Sequence, residues 1–260
     1  VGNYSPASDD ISYVGVDIDA TAIEANKKNE KNANQSFYCF DAILPDAHDN
    51  PIEFWHETEV HPTLIIANPP WSSEKIYDKG RLARAGYRFD VGQYDSYILF
   101  IDLCLRLVAP DGMLALIIPD SIFSGDNRNI RKHLAEKTQL KVIARLGEKL
   151  FPGVNRATTI LIIKNSIPNR NSKTHCFRLT TEQRKAFFAG THSLLSSYDS
   201  ACFNVKQKRF SKGPNYIFDI DAQEYEEELL EKLELDAIVW NDVFHFGRGV
   251  EISKTGAITV

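Results

Sequence analysis

Short apolar runs of four to eight residues alternate along this chain with segments whose apolar residues recur at helical spacing, and that alternation restricts the fold to a layered α/β sheet. Ser12–Ile18, Ser36–Phe40, Leu64–Ala67, Met113–Ile118, Leu140–Leu146 and Ala157–Lys164 are predicted strands, because each is too short for a buried helix and several are rich in β-branched residues. Helices are expected over Ala20–Asn32 and Asn127–Thr138. Between them Tyr97, Phe100, Ile101, Cys104, Leu105 and Val108 mark a third helix, closed by Pro110-Asp111-Gly112. The expectation is a Rossmann-like, doubly wound, mostly parallel sheet with helices on both faces. From Ser72 to Gln93 no clean period survives, and Gly80, Gly86 and Gly92 punctuate what reads as a long loop.

In an open sheet of this kind a ligand sits beyond the carboxyl ends of the strands, and here three of those ends are polar. The first is Asp17-Ile18-Asp19, the second Asp41-Ala42, the third Asn68-Pro69-Pro70-Trp71. A carboxylate at the first end can accept both hydroxyls of a ribose, and an acidic residue at the second can accept the amine of an adenine. Asp19 also suits the cap of the following helix, so Asp17 is the better ribose candidate, although an acidic residue there equally suits a nicotinamide dinucleotide. The third end is the most informative. An Asn side-chain oxygen beside a backbone carbonyl offers two acceptors to one amino group, proline restricts the turn, and Trp71 adds a flat face on which a base can stack. As isolated features, Asp41 reads equally well as a turn residue and Asn-Pro-Pro as a plain strand stop.

Length and composition set the remaining bounds. With 260 residues, 43% hydrophobic and 25% charged, the chain can bury a full core and part of a second module. Cys39, Cys104, Cys176 and Cys202 are scattered without metal-ligand spacing, which suggests neither a zinc site nor a disulfide framework and fits a reducing cytoplasm. No leader and no membrane-spanning apolar run is seen in these residues, so no membrane association is expected. A net charge of −5 argues against coating nucleic acid by bulk charge, while two local basic groups remain candidates for phosphate contact: Lys75, Lys79, Arg81, Arg84 and Arg88, and Lys206, Lys208, Arg209 and Lys212. Composition turns polar near Ile167–Ser172, which places an expected boundary between a domain over 1–168 and a linker with the start of a second module over 169–260. That second part contains an acidic predicted helix, Gln223–Leu235, and the segment Val243 to Glu251.

The order of these segments resembles the γ-class DNA adenine-N6 methyltransferases of restriction-modification systems over about residues 12 to 165. The resemblance is carried by Val14-Gly15-Val16-Asp17-Ile18-Asp19, Phe40-Asp41-Ala42, Asn68-Pro69-Pro70-Trp71, Phe100 to Gly112 leading into Ile117-Ile118-Pro119, and Leu146 to Gly153 followed by Ala157-Thr158-Thr159-Ile160. It implies S-adenosylmethionine as cofactor, with Asp17 and Ile18 at its ribose and Asp41, Ala42 and Phe100 at its adenine. It implies a catalytic turn of Asn68, Pro69, Pro70 and Trp71, with Asn68 also beside the cofactor. Phe151 would face Trp71 across a flipped base, and Arg81 and Arg84 are candidates for holding DNA phosphates. The implied partners are double-stranded DNA and a specificity subunit, nuclease subunit or fused nuclease domain, and residues after about 170 resemble the start of a target-recognition region. One departure stands out: the family's glycine-rich cofactor loop should precede the acidic strand, whereas Val1 to Asp10 contains Gly2 as its single glycine. A fragment is the simplest expectation. Two other readings stay open at this stage: transfer to another planar amine (RNA guanine, cytosine N4 or a protein glutamine), and a catalytically inert DNA- or partner-binding module.

Overall fold

The computed structural model describes residues 11–29, 34–45, 52, 55, 61–71, 77–89, 95–151, 154–212 and 215–221, with 226, 229, 232–233, 237–238, 243–244, 251–252 and 258–259. The chain divides into two compact units, Val1–Asp221 and Ala222–Val260. In the first, β1 (Tyr13–Asp17) pairs in parallel with β2 (Gln35–Cys39). The Phe37 ring lies over Gly15, where a Cβ would sit 2.6 Å from it, so the position excludes any larger residue unless that ring moves. Helix α1 (Ala20–Lys28) begins at Asp19, whose side chain accepts from the Thr21 N–H at 2.8 Å. The capping role open to Asp19 is therefore real.

A six-stranded sheet follows, built from β3 (Leu64–Ala67), β4 (Met113–Pro119), β5 (Gln139–Gly147), β6 (Thr158–Lys164), β7 (Lys173–Arg178) and β8 (Phe203–Lys206). Its spatial order is β3-β4-β6-β5-β7-β8. The α/β class is as expected, but the pairing is mixed. β3 with β4 and β5 with β7 are parallel, whereas β4–β6, β5–β6 and β7–β8 are antiparallel. β5 returns to β6 through a short connection, and a connection without a crossover helix joins antiparallel neighbours. The polar stretch near Ile167 is a turn in this sheet, because β7 pairs in parallel with β5 beyond it. The sheet thus continues past the boundary expected at 168/169, for compositional polarity marks any exposed turn and does not by itself mark a domain edge.

Helix α2 (Lys79–Arg84) occupies part of the segment expected as a long loop. Asp78 nucleates it by accepting from the Arg81 N–H at 2.7 Å, a cap hidden among basic residues and glycines. Helix α3 (Ser96–Leu107) is apolar nearly all round and lies between two cores. Its Tyr97, Ile98, Ile101, Cys104 and Leu105 pack with Leu114, Leu116 and Ile118 of β4 and Leu161 and Ile163 of β6. Its Leu99 and Leu103 pack with Ile43, Trp55, Tyr77, Leu82 and Tyr87, and this second core takes in Val16, Phe40, Ala42 and Phe100 at its margin. Leu114, Leu116 and Ile118 are fully buried, each side chain contributing about 1.5–3 kcal/mol on transfer from water.

Helix α4 (Arg128–Lys137) carries Arg131, 1% exposed, which donates to the carbonyls of Tyr216 and Asn215 at 2.8 and 3.0 Å, to that of Ile122 at 2.7 Å, and to that of Ser124. The short 3-10 turns after β4 are thereby tied to the end of the first unit. Helices α5 (Thr181–Phe188) and α6 (Leu194–Ala201) each open with a capping box, Thr180 with Gln183 and Ser193 with Ser196. In the second unit β9 (Glu251–Ile252) pairs antiparallel with β10 (Ile258–Thr259). Of the acidic helix expected over Gln223–Leu235, residues 226, 229, 232 and 233 are helical, and the others lie outside the described residues, as do most of Val243 to Glu251.

Candidate active site

β3 pairs with β4 as far as Ala67 opposite Leu116, and the chain then turns at Asn68-Pro69-Pro70-Trp71. The turn is held from three directions. Trp71 donates its indole N–H to the carbonyl of Ile117, one residue beyond the last β3–β4 pair, at 3.2 Å. Ser96, the first residue of α3, donates its hydroxyl to the Pro70 carbonyl at 2.7 Å. Arg156 donates through Nη1 to the Trp71 carbonyl. The groups that remain are the informative ones: Asn68 is exposed, and among the described residues neither its side chain nor the Pro69 carbonyl accepts or donates a hydrogen bond. Two acceptors are thus left open on a turn whose two later carbonyls, those of Pro70 and Trp71, are engaged.

Trp71 is half-buried against the core, and Phe151, from the β5–β6 connection, meets it edge-on with ring centroids 6.4 Å apart and planes at 70°. The two aromatics singled out for stacking are therefore neighbours, in the T-shaped geometry that aromatic pairs favour. A base entering between them has to displace that edge contact.

Asp95 occupies the N-cap of α3 but makes no capping hydrogen bond with its side chain. Capping by an Asp contributes about 1 kcal/mol to a helix. Here the carboxylate is turned instead to Arg156, with Nη2 to Oδ2 at 2.9 Å, and to the Ser121 hydroxyl at 3.4 Å. Ser121 in turn meets the Tyr97 hydroxyl at 3.0 Å, and Asn127 donates to that hydroxyl at 3.2 Å. Burial pushes the Tyr97 hydroxyl well above the ordinary tyrosine value, so it remains protonated within the network. The Asp95–Arg156 pair, with side chains 17% and 46% exposed, is worth about 0–1 kcal/mol as a stabilising ion pair. Sequence reasoning did not single out Asp95, Ser96 or Arg156. An Asp-Ser pair before a helix signals a cap, and nothing local announces that both side chains point elsewhere.

The ends of β1 and β2 stand differently. Asp17 is exposed, and its Oδ1 accepts from the Asp19 N–H at 2.9 Å, an Asx-type turn that leaves Oδ2 outward among the described contacts. Ile18 is 63% exposed beside it. Asp41 is half-buried, its Oδ1 accepting from the Ile43 N–H at 3.0 Å and from the Tyr77 hydroxyl at 3.3 Å. Val16, Phe40, Ala42 and Phe100, all partly buried, each pack against the same buried cluster, so Phe100 and residues flanking the two acidic strand ends border one core.

The basic segment after the turn divides into anchored and peripheral members. Arg88 is clamped on the fully buried Asp102: its backbone N–H and Nε lie 2.7 and 2.8 Å from the carboxylate, and Nη2 lies 2.5 Å away. Arg106 stacks on Tyr87 at 4.8 Å and donates to the Ala85 carbonyl at 3.0 Å. Arg81 reaches the Pro45 carbonyl at 3.4 Å, and Arg84 is exposed at the end of α2. Lys75 lies outside the described residues. In the later basic group, Arg209 is 8% exposed and paired with Asp219, so it belongs to the interior. Gln207 beside it is buried, donating to the Ala135 and Thr138 carbonyls at 3.0 and 2.6 Å.

An α/β chain with acidic ends on the β1-β2 pair and an acceptor-bearing proline turn after β3 of the six-stranded sheet fits the methyltransferase class that the sequence resembles. The chain belongs to the N-6 DNA Methylase family, whose model matches residues 3–199. It is 25% identical over 159 residues to a sequence of Methanocaldococcus jannaschii named as a type II restriction enzyme and methyltransferase, covering 61% of this chain and 13% of that one. It is 24% identical over 259 residues to the type I restriction enzyme MpnII methylase subunit of Mycoplasma pneumoniae, covering 89% and 46%. Among solved structures, the type I restriction-modification methyltransferase subunit of Streptococcus thermophilus shares the fold, with a TM-score of 0.57, 14% identity, and coverage of 80% and 47%. The chain therefore spans less than half the length of these relatives.

The family implies S-adenosylmethionine as cofactor. The residues present suit its adenosine portion in chemistry: an exposed carboxylate at the β1 end, a half-buried one at the β2 end, and a partly buried aromatic, Phe100, on the core that Val16 and Ala42 also border. Residues 1–10, where a glycine-rich loop was expected, lie outside the described residues.

Proposed function

We propose that this chain carries the catalytic region of a restriction-modification methyltransferase that methylates the N6 amine of adenine in DNA. The observation that carries the reading is the pair of open acceptors, the Asn68 side chain and the Pro69 carbonyl, on a turn whose Pro70 and Trp71 carbonyls are engaged, beside the half-buried Trp71. S-adenosylmethionine, when bound, supplies an electrophilic methyl group on a sulfonium. The adenine is extruded from the duplex and stacks on Trp71, while its N6 hydrogens are accepted by Asn68 and by Pro69. These bonds aim the nitrogen lone pair. With the cofactor bound, the N–C bond would form as the methyl–sulfonium bond breaks to leave a neutral thioether. Positive charge would develop on N6, where both acceptors would hold it more strongly in the transition state than in the ground state, and the surplus N6 proton would then pass to solvent.

Asp17 and Asp41 accept the cofactor's ribose hydroxyls and adenine amine, with Ile18, Ala42 and Phe100 packing beside them, and Phe151 turns from its edge contact to cover the second face of the base. Arg81 and Arg84 lie on the segment that follows the turn and hold phosphates of the duplex. Double-stranded DNA is the substrate, and a specificity or nuclease component accompanies the chain, as the printed names of its relatives suggest. The test is a labelled-methyl assay on unmethylated DNA with Asn68→Ala in the full-length protein. Transfer is expected to disappear while calorimetric S-adenosylmethionine binding persists, and full activity in that variant rejects the assignment.

A further inference from the structure

We infer that Arg156, oriented by Asp95, is a positioning residue that fixes the Asn68–Trp71 turn and the spacing of Trp71 and Phe151 for methyl transfer. The inference rests on the reading of that turn as the acceptor site. Its basis is a convergence of contacts that stability alone does not require. Arg156 bridges two groups at once, with Nη1 on the Trp71 carbonyl and Nη2 on Asp95. Asp95 forgoes the capping bond that its place on α3 offers and accepts from Arg156 and Ser121 instead. The adjacent Ser96 holds the preceding carbonyl, that of Pro70. One helix terminus thus controls both carbonyls that follow the open acceptors.

Arg156 also belongs to the connection that carries Phe151, five residues earlier, whose ring meets Trp71. Latching that connection to the turn sets where Phe151 stands relative to the Trp71 face. A guanidinium suits the bridge because its two terminal nitrogens point along fixed, divergent directions, whereas an ammonium concentrates its donors on one atom. Misplacing a reacting group by about 1 Å costs on the order of 100-fold in rate. Exposed arginine rims of this kind escape sequence inspection because their partners lie 61 and 85 residues away.

The experiment uses the full-length protein, labelled S-adenosylmethionine and unmethylated plasmid DNA, and compares Arg156→Ala, Arg156→Lys, Asp95→Asn, the Asp95→Asn/Arg156→Ala double variant and Asn68→Ala. In Arg156→Ala the single-turnover transfer rate is expected to fall about 100-fold while S-adenosylmethionine affinity stays within about threefold and the melting temperature within about 3 °C. Arg156→Lys should recover about tenfold of the loss, and the double variant should be no slower than Arg156→Ala, because both changes break one bridge. A rate within about threefold of the parent in Arg156→Ala overturns the inference, as does a parallel collapse of cofactor affinity, melting temperature and rate in both Arg156 variants. Asn68→Ala separates the two layers. If it abolishes transfer while Arg156→Ala does not, Arg156 alone is misassigned; if Asn68→Ala is fully active, the reading of the turn falls and the inference with it.

Discussion

The proline turn and the two acidic strand ends lie in one unit, yet they are organised by opposite means. Asp17 and Asp41 each accept from an N–H two residues on, and Asp41 has one distant partner besides, the Tyr77 hydroxyl. Trp71 and Pro70 are oriented by groups 26 to 85 residues away, on α3, β4 and the β5–β6 connection. Local Asx turns can form wherever the motif occurs, so the cofactor site proposed on them should tolerate change elsewhere better than the turn does. A turn wired through distant elements depends on the whole sheet being assembled, and it holds its open acceptors to closer tolerance.

Substitutions can break this contrast. The largest effect is expected for Asn68→Ala, with transfer reduced about 100- to 1,000-fold or more and cofactor binding nearly unchanged. Asp17→Ala should do the reverse, weakening S-adenosylmethionine binding by about 10- to 100-fold in calorimetry while transfer at saturating cofactor is largely retained. If both variants lose binding and rate together, the two regions are not separable. Asp102→Asn tests the ion pair that fixes Arg88 to α3. Because Asp102 is fully buried while Arg88 is 41% exposed, about 2–3 kcal/mol should be lost in denaturant unfolding, below the roughly 3–5 kcal/mol typical of a fully buried pair.

Two smaller effects sharpen the comparison. Arg81→Ala with Arg84→Ala should weaken DNA binding and lower the slope of log affinity against log salt by about one for each phosphate that the protein no longer neutralises. An unchanged slope would assign α2 to the solvated surface. His133 meets Phe89 edge-on at 5.4 Å, and burial, aided by the charge of Arg88, holds its protonation below the ordinary histidine range. The unfolded chain therefore takes up the proton more readily, and stability is lost as pH falls below about 6.5 toward the lower folded value. The urea midpoint should drop more between about pH 7.5 and 5.5 in the parent than in His133→Asn, by about one kcal/mol or less in free energy.

Much of the architecture was legible because it rests on short-range rules. Periodicity located β1 to β6 and helices α1, α3 and α4 to within a few residues, and the polar ends of β1, β2 and β3 followed from the strands themselves. Helix α2 was missed because a six-residue helix capped by Asp78 has too little apolar period to rise above its glycines. The mixed sheet was missed because an apolar strand buried on both faces looks the same in either direction. β7 continues the sheet beyond a polar turn that composition could not tell from a linker.

The chain's residues by themselves specify an α/β sheet, an acceptor-bearing proline turn and two acidic strand ends, since each depends on side-chain period, proline's restricted backbone or contacts two residues apart. Which of those acceptors stay open was decided by the tertiary structure. Ser96, Arg156 and Ile117 engage the turn's neighbouring groups only once α3, the β5–β6 connection and β4 are packed together, and hydrogen bonds across such separations have no signature in local sequence.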